Sequence, residues 1–183
     1  MTSVVDPNEV TKFNQIARSY WDPEGPMRAL HQINPLRIDF TESFYPLQDA
    51  KVLDVGCGGG LASEAMAMRG GSVTAIDASP EMLKTAELHA LESGLTIHYN
   101  ESHAEAMVDS HAGAFDVVTC FEMIEHVPDP MASLAHSQHS CVQGDGSSYR
   151  QLIAPPKHIW APLSQPNTFS TGSLKVRTTT PVF

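Results

Sequence analysis

The sequence predicts an α/β fold, a parallel sheet with helices on both faces that is truncated after its fourth strand. Three observations lead there. From Lys51 onward, apolar runs alternate with helical patterns: "KVLDVG", "LASEAMAMRG", "SVTAID", "SPEMLKTAELHALESG". That alternation is the signature of crossover units, whose strands run parallel. The first run ends in a loop holding Gly56, Gly58, Gly59 and Gly60, where a strand hands over to a helix. Helix boundaries carry their usual punctuation, with Ser79 and Pro80 at a start and Gly94 at a stop.

Each element has its own justification. Val10, Phe13, Ile16, Ala17 and Tyr20 recur at helical spacing after Pro7. "WDPEGP" breaks that pattern. A second helix is expected over "NPLRIDFTESF", with Asn34 as its cap and Pro35 in its first turn. These two helices form an N-terminal cap, residues 1–45, expected over the carboxyl ends of the strands. Strand "KVLDVG" follows, then helix "LASEAMAMRG", closed by Gly70 or Gly71. "SVTAID" is a strand and "SPEMLKTAELHALESG" a helix. "LTIHYN" is a third strand, "AEAMVD" a short helix and "FDVVTC" a fourth strand. The main domain therefore runs over residues 1–130.

Composition narrows the function classes. With 183 residues and 42% hydrophobic content, the chain can bury a core. A formal net charge of −10 argues against a nucleic-acid partner, which asks for a basic face. Cys57, Cys120 and Cys141 show no paired spacing, so a reducing, cytoplasmic setting is expected rather than a disulfide framework. The N-terminus lacks a basic start and an apolar run, so no signal peptide is expected, and no stretch approaches the ~20 apolar residues of a membrane span.

The glycine loop is the natural ligand site, because doubly wound sheets bind at the carboxyl ends of their strands. A dinucleotide fingerprint would need glycine where Leu61 stands, which disfavours a nicotinamide oxidoreductase. The pattern that fits is Asp54-x-Gly56-x-Gly58-x-Gly60, with Asp54, Gly56 and Gly58 as candidate cofactor contacts. Asp77 closes the second strand, where an acid accepts hydrogen bonds from two ribose hydroxyls. The plainer alternative is a glycine turn without a ligand; the strand, helix and acid in register weigh against it.

"VLDVGCGGG" followed by "VTAID" resembles the first two motifs of the class I, Rossmann-like methyltransferases that use S-adenosyl-L-methionine. "FNQIARSYWDPEGPMRALHQINPLR", "LHALESG" and "FDVVTCFEMIEHVPDP" are similar to the ubiquinone biosynthesis O-methyltransferases, over roughly residues 8–130. That resemblance implies methylation of phenolic hydroxyls on polyprenyl-hydroxyphenol and demethylubiquinol intermediates. It also implies cofactor contacts at Arg37, Gly56, Asp77 and Phe121, the last standing where many members have methionine. A guanidinium at Arg37 suits a methionine carboxylate, to which it can donate two parallel hydrogen bonds. The polyprenylated phenol or quinol implies peripheral association with the inner membrane, or with a ubiquinone-biosynthesis complex. The alternatives are another small-molecule methyltransferase and an inactive, truncated remnant.

"EMIEHV" spaces Glu122, Glu125 and His126 so that one helical turn would present all three together. Two readings stand. The resemblance implies that Glu122, Glu125 and His126 bind magnesium, although magnesium favours oxygen ligands. Otherwise His126, beside Glu122, is a catalytic base that removes the phenol proton. Of the other histidines, His31 lines the cleft or packs, and His89, His98, His103 and His111 are expected at the surface. Met66, Met68 and Met82 are expected in the core.

Residues 131–183 break the composition. They hold one acid, Asp145, against twenty before them, and are rich in Ser, Thr and Pro. No sustained period is present, so a disordered or out-of-frame tail is expected. "PKHIWA" can be encoded as CCA AAG CAT ATC TGG GCG, and a shift of two bases then reads Lys-Ala-Tyr-Leu-Gly, which resembles the family's own continuation. Sequencing the coding DNA tests this; an intact frame with no restoring shift would count against it.

Overall fold

The computed structural model describes residues 5–103, Ala106, residues 114–129, Ser133 and residues 151–154. Helix α1 spans Pro7–Ile16; the Asp6 side chain caps it by accepting from the Asn8 N–H at 2.8 Å. A single 3-10 turn, Ala17–Ser19, carries the chain on. Helix α2 spans Arg28–Phe44, so it begins six residues before the expected cap. Asn34 lies inside it, and its amide donates to the Leu61 carbonyl at 3.0 Å instead of capping. Pro35 also lies inside, where it costs one helical hydrogen bond. The buried anchors Arg37, Ile38 and Thr41 hold the helix in place through tertiary contact.

Strand β1 (Lys51–Val55) is followed by α3 (Leu61–Met68), β2 (Ser72–Asp77), α4 (Pro80–Glu92), β3 (His98–Glu101) and β4 (Val117–Phe121). Gly70 and Gly94 end the two helices with positive φ, at 86° and 68°. The Ser79 hydroxyl caps α4, accepting from the Met82 N–H at 3.1 Å. The sheet order is β3-β2-β1-β4-β5, and every pairing is parallel. Chain order reverses between β1 and β4, the topological switch point at which such sheets open a crevice.

Successive side chains of each strand point to opposite faces. Val52, Val73 and Val117 join Ile38, Leu47 and Met66 in one core layer. Leu53, Ile76, Val118 and Cys120 build the other layer with Val55 and Phe115. The segment expected as a short helix, residues 104–109, lies outside the described residues apart from Ala106.

Against the expectation of a sheet that ends at its fourth strand, Gln151–Ala154 forms β5 beside β4, with Val118 opposite Gln151 and Phe121 opposite Ala154. Three apolar residues are too few to show a period in the sequence. Apart from Ser133 and β5, the tail lies outside the described residues.

Candidate active site

The loop after β1 turns at Gly56, whose φ is +71°. Its N–H and that of Cys57 both donate to the Ile76 carbonyl, at 2.9 and 3.0 Å, which ties the loop to β2. A Cβ added at Gly56 would sit 2.4 Å from the Met123 Cγ. Only glycine meets both the backbone angle and the close approach.

Asp77, at the carboxyl end of β2, faces that loop. Its Oδ2 accepts from the Gly58 N–H at 2.8 Å and its Oδ1 from the Ser79 N–H at 2.8 Å. Burial pushes its carboxyl above the ordinary range, while those N–H groups pull it back. Each oxygen keeps a further lone pair for a ligand hydroxyl.

A cavity of about 450 Å³ opens over the strand ends, within the range of small-molecule sites. Of the expected site residues, Gly56, Gly58, Asp77, Phe121, Glu122, Glu125 and His126 line it. Its apolar wall is shared between the N-terminal segment, with Val10, Phe13, Met27 and Leu30, and the strand ends and loops, with Val55, Ile76 and Met123.

Arg37 and Asp54 line a second cavity of about 30 Å³ instead, which shares Gly56, Phe121 and Glu122 with the first. Arg37 is 4% exposed and ion-paired with Glu122. Its guanidinium carbon lies 5.5 Å from the Phe121 ring centroid, close enough for a cation–π contact. Its Nε is buried without a hydrogen-bond partner among the described residues. Asp54 sits beneath the loop, its oxygens accepting from Ser63 at 2.6 Å and Thr119 at 2.8 Å. Burial raises its carboxyl and these two hydroxyls lower it. Asp54 thus fastens β1 to α3 and β4, which makes it a support for the loop more than a wall of the main cavity.

The expected helical turn through Glu122, Glu125 and His126 does not form. Glu122 adopts a left-handed φ of 55° and sends its carboxylate to Arg37. Only Ile124–His126 makes a 3-10 turn. His126 turns to α1, with Nδ1 2.8 Å from Glu9 Oε2 and the Phe13 ring edge-on at 5.0 Å. Glu125 is exposed. Among the described residues no three His, Cys, Asp or Glu side chains converge as a metal site would require. The expected magnesium ligands therefore do not fit the ion in this geometry; an ion pair and a carboxylate–histidine pair hold them apart.

Several residues here carried no site signal in the sequence. Glu9 looked like one more charge on a helix. His103 lines the main cavity and His89 is half-buried against Trp21, although both were expected at the surface. His31 packs, with its Nε2 2.9 Å from the Tyr20 carbonyl. His98 is exposed as expected, and His111 lies outside the described residues. Met66 and Met82 are core residues, whereas Met68 is exposed.

The family model described as "Methyltransferase domain" matches residues 52–146. A ubiquinone biosynthesis O-methyltransferase of Azotobacter vinelandii is 50% identical over 151 residues, covering 82% of this chain and 65% of its own length. Its namesake in Leptothrix cholodnii is 52% identical over 150 residues, with coverages of 81% and 63%. In Idiomarina loihiensis the figures are 54% over 129 residues, with 70% and 53%. The chain thus spans between about half and two thirds of the length of these curated relatives. Among solved structures, magnesium protoporphyrin IX methyltransferase from Synechocystis with bound SAM superposes at a TM-score of 0.64 and 20% identity, over 86% of this chain and 80% of that one. A cyclase superposes at 0.57 and 20%, over 66% and 43%. Likeness at these identities is of fold, the S-adenosylmethionine-dependent methyltransferase fold, and the cyclase illustrates that a fold does not dictate a reaction.

Proposed function

We propose that this chain, which belongs to the methyltransferase-domain family, is an O-methyltransferase of ubiquinone biosynthesis. It uses S-adenosyl-L-methionine to methylate phenolic hydroxyls of polyprenyl-hydroxyphenol and demethylubiquinol intermediates. The observation that carries this reading is a single cavity lined by a glycine loop, the acid closing β2 and a histidine held by a carboxylate. The similarity to relatives bearing that name supports the choice of substrate class.

When bound, the cofactor supplies a sulfonium methyl group, whose transfer needs no covalent enzyme intermediate. Asp77 accepts the ribose hydroxyls, and the backbone at Gly56 and Gly58 allows close approach. Arg37 meets the methionine carboxylate through the N–H that Glu122 leaves unused. His126 removes the phenol proton. A phenol with a pKa near ~10 is a poor nucleophile at neutral pH, so a base within reach is needed. Glu9 holds the His126 ring through Nδ1, and its Nε2 makes no hydrogen bond among the described residues. The apolar wall of the cavity receives the ring and the first part of the prenyl tail. Such a substrate resides in a lipid bilayer, so the enzyme works at the membrane surface. No described helix is long and apolar enough to cross a membrane.

Two measurements test this. Calorimetric titration with S-adenosylhomocysteine is expected to show one saturable site. Methyl transfer from labelled cofactor to a short-tailed catechol is expected to follow. Binding without transfer would favour a cofactor-binding remnant; absence of both would defeat the reading.

A further inference from the structure

Two of the most distinctive segments of the chain, "YWDPEGP" and "LHALESG", take no part in the chemistry above. The structure brings them together against the glycine loop. The Trp21 indole N–H donates to the Gly59 carbonyl at 2.9 Å. The indole stacks face to face on His89, with ring centroids 3.4 Å apart and planes 3° from parallel. The His89 Nδ1 lies 2.8 Å from Oε1 of Glu64, a carboxylate with no exposure. His31 also stands edge-on to the indole, at 5.9 Å.

We propose that Trp21, His89 and Glu64 are positioning residues that hold the glycine loop in its ligand-ready shape, and that the N-terminal cap thereby sets cofactor affinity. A loop of consecutive glycines has more backbone freedom to lose than any other segment, so its peptides need external anchors. Two anchors act on neighbouring residues. Asp77 accepts from the Gly58 N–H, and Trp21 donates to the Gly59 carbonyl. Trp21 lies between the 3-10 turn and α2, in chain with no regular secondary structure, so something must fix its ring. The His89 plane does this, and the buried Glu64 carboxylate fixes His89 in turn. Glu64 is itself built into α3 directly after the loop, where its N–H donates to the Gly60 carbonyl at 2.9 Å. The relay therefore starts and ends on the segment it holds. This inference rests on the proposed reading of the loop as a cofactor site.

The test uses the full chain. Trp21→Phe keeps an aromatic ring for the stack and removes the donor. It is expected to raise the Kd for S-adenosylhomocysteine about tenfold, the scale of one hydrogen bond, while unfolding stays cooperative. A second measurement needs no loop variant. Trp21 and Trp160 are the two tryptophans, so Trp160→Phe leaves one indole N–H signal in a nitrogen–proton correlation spectrum. That signal is expected to shift on saturation with S-adenosylhomocysteine, and to move to a solvent-exposed position in His89→Ala. If the native chain binds but Trp21→Phe binds equally well, or the indole signal stays still on saturation, the positioning role is overturned and the cofactor site stands. If the native chain does not bind, the reading of the loop falls and this inference falls with it.

Discussion

Gly59→Ala is the sharpest steric test of how the N-terminal cap meets the loop. An added Cβ would lie 2.3 Å from Tyr20 Cδ1, 2.6 Å from its Cγ and 2.8 Å from its Cε1. No real contact is that short, so either the loop or the ring must move. The ring has little room, being 7% exposed and packed with Ala17 and Met82. Such overpacking costs about 1–3 kcal/mol. In a chain of this length that corresponds to a fall of about 2–12 °C in Tm. Gly59 does not need a positive φ, so the penalty is steric alone. With Tyr20→Ala already in place, the same change should stabilise by about 0.4–1 kcal/mol, through a less flexible unfolded chain. Urea unfolding of the four members of this cycle measures the coupling. An equal cost for Gly59→Ala in both backgrounds would show that Tyr20 does not rest on the loop.

Further outcomes follow from the same geometry. His126→Asn should lower methyl transfer by about 10²–10⁴-fold, the usual worth of a general base, and leave S-adenosylhomocysteine affinity unchanged in calorimetry; unchanged turnover would remove His126 from the chemistry. Glu122→Gly relieves a left-handed backbone worth about 1–2 kcal/mol but strands the buried Arg37 guanidinium, a loss of about 3–5 kcal/mol. The net fall in urea stability should be about 1–4 kcal/mol, and a gain would contradict it. Asp54 has a folded pKa above its unfolded one, chiefly through burial. Folding therefore favours its protonated form, and its contribution to stability declines as pH rises through the window just above the ordinary carboxylate range. The stability difference between native chain and Asp54→Asn should shrink across that window by at most about 1.4 kcal/mol per pH unit, then level off. A difference that grows with pH would refute the sign.

The sheet was legible because its evidence is local. Val52, Leu53 and Val55 mark a short strand that ends at glycine, and Ser79–Pro80 states its own cap. That Gly56, Gly58 and Asp77 would share one cavity was legible for the same reason, since strand ends at a switch point open a crevice by topology. What escaped is non-local. Helix α2 starts before Pro35 because Asn34 and Arg37 find partners at Leu61 and Glu122, which outweigh the bond that proline removes. The spacing of Glu122, Glu125 and His126 suggested one face, yet that holds only in a helix. An ion pair drew Glu122 into left-handed geometry, and Glu9, more than a hundred residues away in the chain, took His126. His89 read as a surface residue because its partners lie on α3 and beside α2. Strand β5 escaped because a few apolar residues carry no period of their own.

The central claim is that a sulfonium nucleoside lies over the ends of β1, β2 and β4 with its sugar on Asp77. The crystal structure of the chain saturated with S-adenosylhomocysteine tests it most directly. The account predicts both ribose hydroxyls at about 2.6–3.2 Å from the Asp77 carboxylate oxygens, with the Gly58 N–H bond retained. A ligand bound elsewhere, with Asp77 still engaged only by Gly58 and Ser79, would contradict it.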